Sequence, residues 1–241
     1  MDDNYLYRVL PFLNSIEAKR RKQFEDYFSS APKWLLDSIQ VVRVDKDVEF
    51  IKENTVVDMI YLIGKGTVKA IDYRVYGIAY DFMQFDDVSA FGAMEVITGD
   101  TVYRTTMQTV TPCIIVKIPR AAFAKWISLD IIVLQKEARN ISCNLLEQGR
   151  KERIYLFLQG ADRLAFILAE KYLKYQKNNI FYENSTRQEL AEASGLCVKT
   201  VNRAVKKFRE NGWITKTGNK FTIDERQYNE LNKSISELIE R

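Results

Sequence analysis

Histidine is absent from all 241 residues. Without imidazole there is no Ser-His-Asp or Cys-His nucleophile, no histidine-ligated haem and no zinc site that depends on histidine. The three cysteines, Cys113, Cys143 and Cys197, are far apart and include no CxxC pair. That excludes a disulfide scaffold and makes an iron–sulfur cluster or all-cysteine zinc site unexpected. No apolar run approaches the roughly eighteen residues that a membrane helix needs. Met1-Asp2-Asp3 is acidic where a secretory leader would be basic and then apolar. A cytoplasmic chain with no membrane partner is the expectation. Glycine and proline are also scarce, at ten and four, while 46% of residues are hydrophobic and 12% aromatic. Such a chain buries a core in one large or two ordinary domains. No pair of carboxylates is marked as acid and base, so no enzyme is indicated.

Four stretches follow one another. Residues 1–38 read as helical and polar, with Asn14 and Glu17 as a capping box opening Ile16–Phe28 and Pro32 closing the region. Residues 39–119 change to period two, in Val42-Arg43-Val44, Val48–Ile51, Ile60–Ile63, Thr67–Ile71, Ala79–Met83, Thr105–Val110 and Cys113–Ile118. Many short β-branched strands separated by turns suggest a small barrel or sandwich. Residues 120–158 return to helix. There Ile131, Leu134, Ala138, Ile141, Leu145, Gln148, Glu152 and Tyr155 alternate steps of three and four. This heptad seam fits a dimer helix, and a helix packing on its own domain gives the same pattern. Residues 160–241 begin at a hinge-like Gly160, followed by a helix face of Leu164, Ile167, Leu168 and Leu173.

The last stretch carries the most specific pattern. Thr186-Arg187-Gln188-Glu189 is a capping box, Leu190 and Ala191 face inward, and Ser194-Gly195-Leu196 is a tight turn between crossing helices. A second helix follows over about Val198–Glu210. Its buried stripe is Val201, Val205 and Phe208, with Lys199, Arg203, Lys206 and Lys207 opposite. Asn211-Gly212 ends it, and Trp213–Thr215 and Phe221–Ile223 make a two-stranded wing. Helix, turn, helix and wing form a winged helix-turn-helix, and residues 181–223 carry +4, the excess of the whole chain. Double-stranded DNA is the expected partner. Val198, Lys199 and Arg203 sit where base edges are read, with Arg203 suited to guanine O6 and N7. Thr186, Arg187, Gln188, Thr200, Lys206, Lys216 and Lys220 suit phosphate contacts. The alternative is a ligand-binding or scaffold dimer whose winged helix meets protein.

Taken together, these stretches resemble the Crp/Fnr superfamily of bacterial transcription regulators over roughly residues 45–223. The resemblance is carried by Thr186–Leu190 through Thr200–Arg203, by Asn211–Ile214, by Tyr61–Val68 and by Ile118–Ile127. It implies an α+β fold with an N-terminal double-stranded β-helix, the jelly-roll of cyclic-nucleotide-binding domains. A long dimerisation helix bearing Leu134, Ala138, Ile141 and Leu145 and a C-terminal winged helix-turn-helix complete it. It further implies a homodimer on a roughly palindromic operator, a small effector in the roll, and RNA polymerase as a further partner.

The effector pocket implied by the resemblance comprises Gly92, Ala93, Arg104, Thr105 and Gln148. Family members that bind cyclic AMP have glutamate where this chain has Ala93, an Arg-Ser or Arg-Thr pair matched by Arg104-Thr105, and Thr-Ser where it has Gln148-Gly149. Losing the ribose carboxylate alone costs about 1.5–3 kcal/mol. Glu95 reaches the same side only if the segment is extended. An effector other than cyclic AMP is therefore expected. The oxygen-sensing branch needs cysteines near the N-terminus and the haem-sensing branch needs histidine, and both are missing. Cys197-Val198-Lys199-Thr200 replaces the common Ser-Arg-Glu-Thr, so Lys199 donates where glutamate accepts from cytosine. Cys197 reads either as a small residue or as a redox-sensitive thiol at a helix N-terminus.

Overall fold

Where hydrophobicity alternates, the chain pairs as antiparallel strands. The computed structural model describes residues 3–75, 78–85, 88–218 and 220–239. Contacts divide it into two units, Met1–Asp72 with Phe82–Leu146 and Glu147–Arg241 with Tyr73–Asp81. The β-rich stretch holds β1 (Gln40–Val44), β2 (Glu49–Ile51), β3 (Met59–Lys65), β4 (Val68–Val75), β5 (Ile78–Phe85), β6 (Ala90–Phe91), β7 (Thr106–Thr109) and β8 (Cys113–Pro119). They form two four-stranded sheets in the orders β1-β8-β3-β6 and β2-β7-β4-β5. Neighbours distant in sequence give the expected jelly-roll wrap. Register pairs Ile60 with Ile118 and Leu62 with Val116, and all four side chains are buried in one core.

The N-terminal stretch is helical but not simply polar. It comprises α1 (Asp3–Val9), a 3-10 turn over Pro11–Ser15, α2 (Ala18–Tyr27) and α3 (Lys33–Leu36). Leu6, Leu10, Leu13, Phe24, Phe28, Leu35 and Leu36 join the same core as the roll. The Asn14–Glu17 capping box does not form. Glu17 is the N-cap of α2 and makes no side-chain cap bond, while Asn14 Nδ2 donates to the Pro11 carbonyl at 3.4 Å. The 3-10 turn takes up Asn14, and the helix starts three residues later than the box required. One glycine explains how the segment docks. A Cβ on Gly64 would lie 2.7 Å from the Phe12 ring, so only a residue without a side chain admits that ring against β3.

A short helix, α4 (Ala93–Thr98), interrupts the roll. After β8 come α5 (Arg120–Leu129) and the 27-residue α6 (Ile131–Phe157). Val133 and Glu137 on α6 are buried, whereas the seam positions Ala138 and Leu145 are exposed and Leu134 and Ile141 half-buried.

The second unit contains α7 (Ala161–Tyr175), β9 (Ile180–Glu183), α8 (Arg187–Ser194), α9 (Val198–Glu210), β10 (Thr215–Thr217), β11 (Lys220–Asp224) and α10 (Glu225–Ile239). Three expectations change here. Leu173 is exposed, and the buried face of α7 is Leu164, Ala165, Leu168, Ala169 and Tyr172. The wing has three strands, because β9 pairs with β11 in the order β10-β11-β9. A further helix, α10, packs Leu231 and Ile235 into the core. Its start is signalled by Asp224 and Gln227, which exchange reciprocal hydrogen bonds at 2.8 and 3.0 Å. Among the described residues no helix is long and apolar enough to cross a membrane.

Candidate nucleic-acid interface

The helix-turn-helix is fixed first at its N-terminal end. Thr186 Oγ1 accepts from the Glu189 amide at 3.1 Å, and Glu189 Oε2 accepts from the Thr186 amide at 2.6 Å. Both halves of the capping box therefore form and satisfy amides that a helix start leaves orphaned. Just upstream, buried Glu183 pairs with Lys171 Nζ at 3.0 Å and accepts from the Ser185 amide at 2.8 Å. Gly195, at φ +64°, closes α8 in the left-handed conformation and turns the chain toward α9.

On α9 the apolar stripe Val201, Ala204, Val205 and Phe208 is buried. The opposite face presents Lys199, Asn202, Arg203, Lys206, Lys207 and Arg209 to solvent. Val198 and Thr200 are half-buried. Cys197 caps α9 without a side-chain bond to a helix amide. Its Sγ lies 3.2 Å from Thr200 Oγ1, and that hydroxyl holds the exposed thiol below its ordinary pKa. Gln188 is exposed but donates to Glu192 at 3.0 Å.

A cleft of about 670 Å³ opens between the start of α8, the flank of α9 and the wing. Thr186, Arg187, Lys206, Lys216 and Lys220 line it, together with Asn184, Ser185, Asn202, Val205 and Arg209. The sequence reading places phosphate contacts at the first five. The others come only from the fold. Asn202 lies one turn before Lys206 and Arg209 one turn after it on the same helix flank, and the fold turns that flank toward the wing. Asn184 and Ser185 belong to the short link after β9, the strand the sequence reading lacked. Among the described residues no acidic side chain lines this cleft, so its field favours an anion such as a nucleic-acid phosphate. Arg187 is half-buried and its Nη1 has no hydrogen-bond partner among the described residues. Burial lowers its pKa from the ordinary guanidinium value, and a guanidinium stays charged at neutral pH.

The residues of the implied effector pocket are arranged differently. Gly92, at φ +96°, precedes α4, and Ala93 is fully buried. Glu95 is not on an extended segment. It lies on α4, buried, and its Oε1 accepts from the Arg104 amide at 3.0 Å. The Arg104 side chain is exposed and ion-paired with Asp100, which draws the Asp100 carboxyl below its usual range. Thr105 is half-buried beside it. Gln148 belongs to α6 in the second unit and donates to Glu152 at 3.0 Å.

Residues 41–130 match the cyclic nucleotide-binding domain, and residues 162–228 match the Crp-like helix-turn-helix domain. Among solved structures the chain is similar to the c-di-GMP responsive global regulator CLP of Xanthomonas campestris, at 18% identity and a TM-score of 0.72, covering 84% of this chain and 98% of that one. FixK2 from Bradyrhizobium japonicum is similar at 17% identity and a TM-score of 0.65, with 83% and 96% covered. A CRP-family transcriptional regulator from Thermus thermophilus is similar at 17% and 0.66, with 81% and 96% covered. At such identities the likeness to these structures is one of fold. No curated protein sequence matches the chain.

Proposed function

The chain belongs to the Crp/Fnr superfamily of transcription regulators, and from that premise we propose that it acts as a homodimer on a roughly palindromic operator. The observation that carries this reading is the second stripe on α6. Leu145 is 67% exposed and Ala138 is exposed, while Val133 and Glu137 on another face of the same helix are buried. A helix that has already buried one stripe and keeps an apolar heptad in solvent fits a second copy of itself. Twofold symmetry then presents two α9 helices, and the operator mirrors it.

In this reading Val198, Lys199 and Arg203 meet base edges, with both cations favouring guanine O6 and N7. Thr186, Arg187, Gln188, Thr200, Lys206, Lys216 and Lys220 hold phosphates and set the register. The roll, through Gly92, Ala93, Arg104 and Thr105, responds to an effector other than cyclic AMP. Two features support this. Ala93 offers no carboxylate to a ribose, and Arg104 is already engaged by Asp100. The reading places the protein in the cytoplasm, with RNA polymerase as a partner and without haem, iron–sulfur or zinc.

Selection from a randomised duplex library at about 150 mM salt tests it, since phosphate contacts alone are weak there. An inverted repeat with half-site centres one helical turn apart, or a multiple of it, supports the dimer. Enrichment of single half-sites overturns the dimer. Blank selections, alone and with cyclic AMP, c-di-GMP or metabolite extract, overturn sequence-specific binding and leave the scaffold.

A further inference from the structure

Glu137 adjoins the exposed seam residue Ala138 on α6, yet it is 2% exposed. Its Oε1 and the Oη of Tyr27 on α2 are both buried without a hydrogen-bond partner among the described residues. The pocket around them is aromatic. The Tyr27 ring meets Phe28 edge-on at 5.1 Å and Trp126 edge-on at 5.8 Å, and Phe28 stacks on Trp126 at 5.8 Å.

Charged groups on the surrounding elements point elsewhere. Lys136, beside Glu137 on α6, donates to the main-chain carbonyl of Asp26 on α2. Asp130, at the corner between α5 and α6, accepts from Trp126 Nε1 at 3.2 Å and the Ile132 amide at 3.0 Å. From α2, Tyr27 is the group that faces the carboxyl, and no cation among the described residues acts on it. Burial pushes the Glu137 carboxyl up to about 7, against a smaller pull from the Tyr27 hydroxyl. Burial, followed by the Glu137 charge, raises Tyr27 well above its ordinary value, so Tyr27 keeps its proton at neutral pH.

We propose that Glu137 and Tyr27 form a proton-operated clasp between α2 and α6, closed while the carboxyl is protonated and loosened when it ionises. A protonated carboxyl both donates and accepts, so it can satisfy its own orphan oxygen and the phenol together. An ionised one accepts from the phenol, but no cation among the described residues balances its charge among the aromatic rings, and that burial cost exceeds the phenol's help. The acid's pKa is raised by folding, so its native state holds a proton that the unfolded chain releases. The clasp's stabilisation is therefore complete below the ordinary carboxyl value of 4.5 and is lost as pH rises through about 7. Leu134, Ala138 and Ile141 lie within a turn of Glu137, so loosening reshapes the face offered to a second copy. That consequence rests on the dimer reading, whereas the clasp lies within one protomer.

Hydrogen exchange of the α2 amides in the full-length protein, corrected for intrinsic pH dependence, reads the clasp directly. Between about pH 5 and pH 8, wild-type protection of α2 falls several-fold, and Glu137→Gln abolishes that pH dependence. Tyr27→Phe removes the hydroxyl that favours ionisation, so it moves the transition to higher pH. Equal profiles in wild type and Glu137→Gln overturn the clasp. So does a Glu137 carboxyl carbon that titrates by NMR in the ordinary carboxylate range, a measurement that needs no variant. Sedimentation in parallel separates failure of the dimer from failure of the clasp, because α2 protection is read whether or not the protein dimerises.

Discussion

The guanidinium of Arg187 lies over the ring of Phe221, with Cζ 5.5 Å from the ring centroid. One contact thereby ties the first residue of α8 to the middle strand of the wing sheet. It also aims a half-buried cation into the basic cleft. Arg187→Lys keeps the charge but loses the planar stack and the fork of donors. DNA affinity should fall by about 0.5–2 kcal/mol, a few-fold to roughly thirtyfold, read by fluorescence anisotropy. An affinity equal to wild type would show that the stack does not position the cation.

Arg209 reaches the same cleft from the far end of α9. If it meets a phosphate, Arg209→Ala weakens binding by a similar factor on every sequence. The slope of log affinity against log salt then becomes shallower by about 2 for the dimer, one contact from each protomer. A changed sequence preference with an unchanged slope would move Arg209 from backbone to base contact.

Lys199 is exposed on the outward face of α9, near its N-terminus. A lysine there donates and a glutamate accepts. Lys199→Glu should exchange a guanine preference for cytosine at one position per half-site, with discrimination of about 1–3 kcal/mol. Repeating the library selection with the variant checks this, and identical selected sites would take Lys199 out of the groove.

Leu145 has little to lose within its own chain, being 67% exposed. Leu145→Asp should leave the melting of each unit nearly unchanged while removing about 1.5–3 kcal/mol of burial per copy from the seam, before repulsion between the two carboxylates. Sedimentation should show dissociation at concentrations where wild type is dimeric. A variant that stays dimeric would move the interface off this stripe.

How much was legible depended on the range of the interactions. The Thr186–Glu189 box and the Gly195 turn are local, made between residues three to nine apart, so spacing alone revealed them. Alternation marked the strands of the roll for the same reason. β9 and α10 were missed on different grounds. β9 is a short strand recognisable only by its pairing with β11, while α10 opened with a capping signal, Asp224 to Gln227, that went unread. The supposed Asn14–Glu17 box had the right residues, but Pro11 starts a 3-10 turn that takes up Asn14 and leaves Glu17 as the N-cap of α2. Glu95 illustrates the limit at the roll. An extended segment would put it on the same side as Ala93, and the local helix α4 instead buries it against the Arg104 amide.

By itself the sequence determined the succession of helical, β-rich and helical stretches, the helix-turn-helix with its wing hairpin and the concentration of positive charge on it. It also excluded histidine chemistry outright. Those properties follow from composition, periodicity and capping, which act over a few residues. Only the tertiary structure decided that Asn184, Ser185, Asn202 and Arg209 share a cleft with the wing lysines, and that Glu137 faces Tyr27 across 110 residues of chain. Burial and pairing between distant segments create these relationships, and no local pattern records which distant side chain will supply a partner or withhold one.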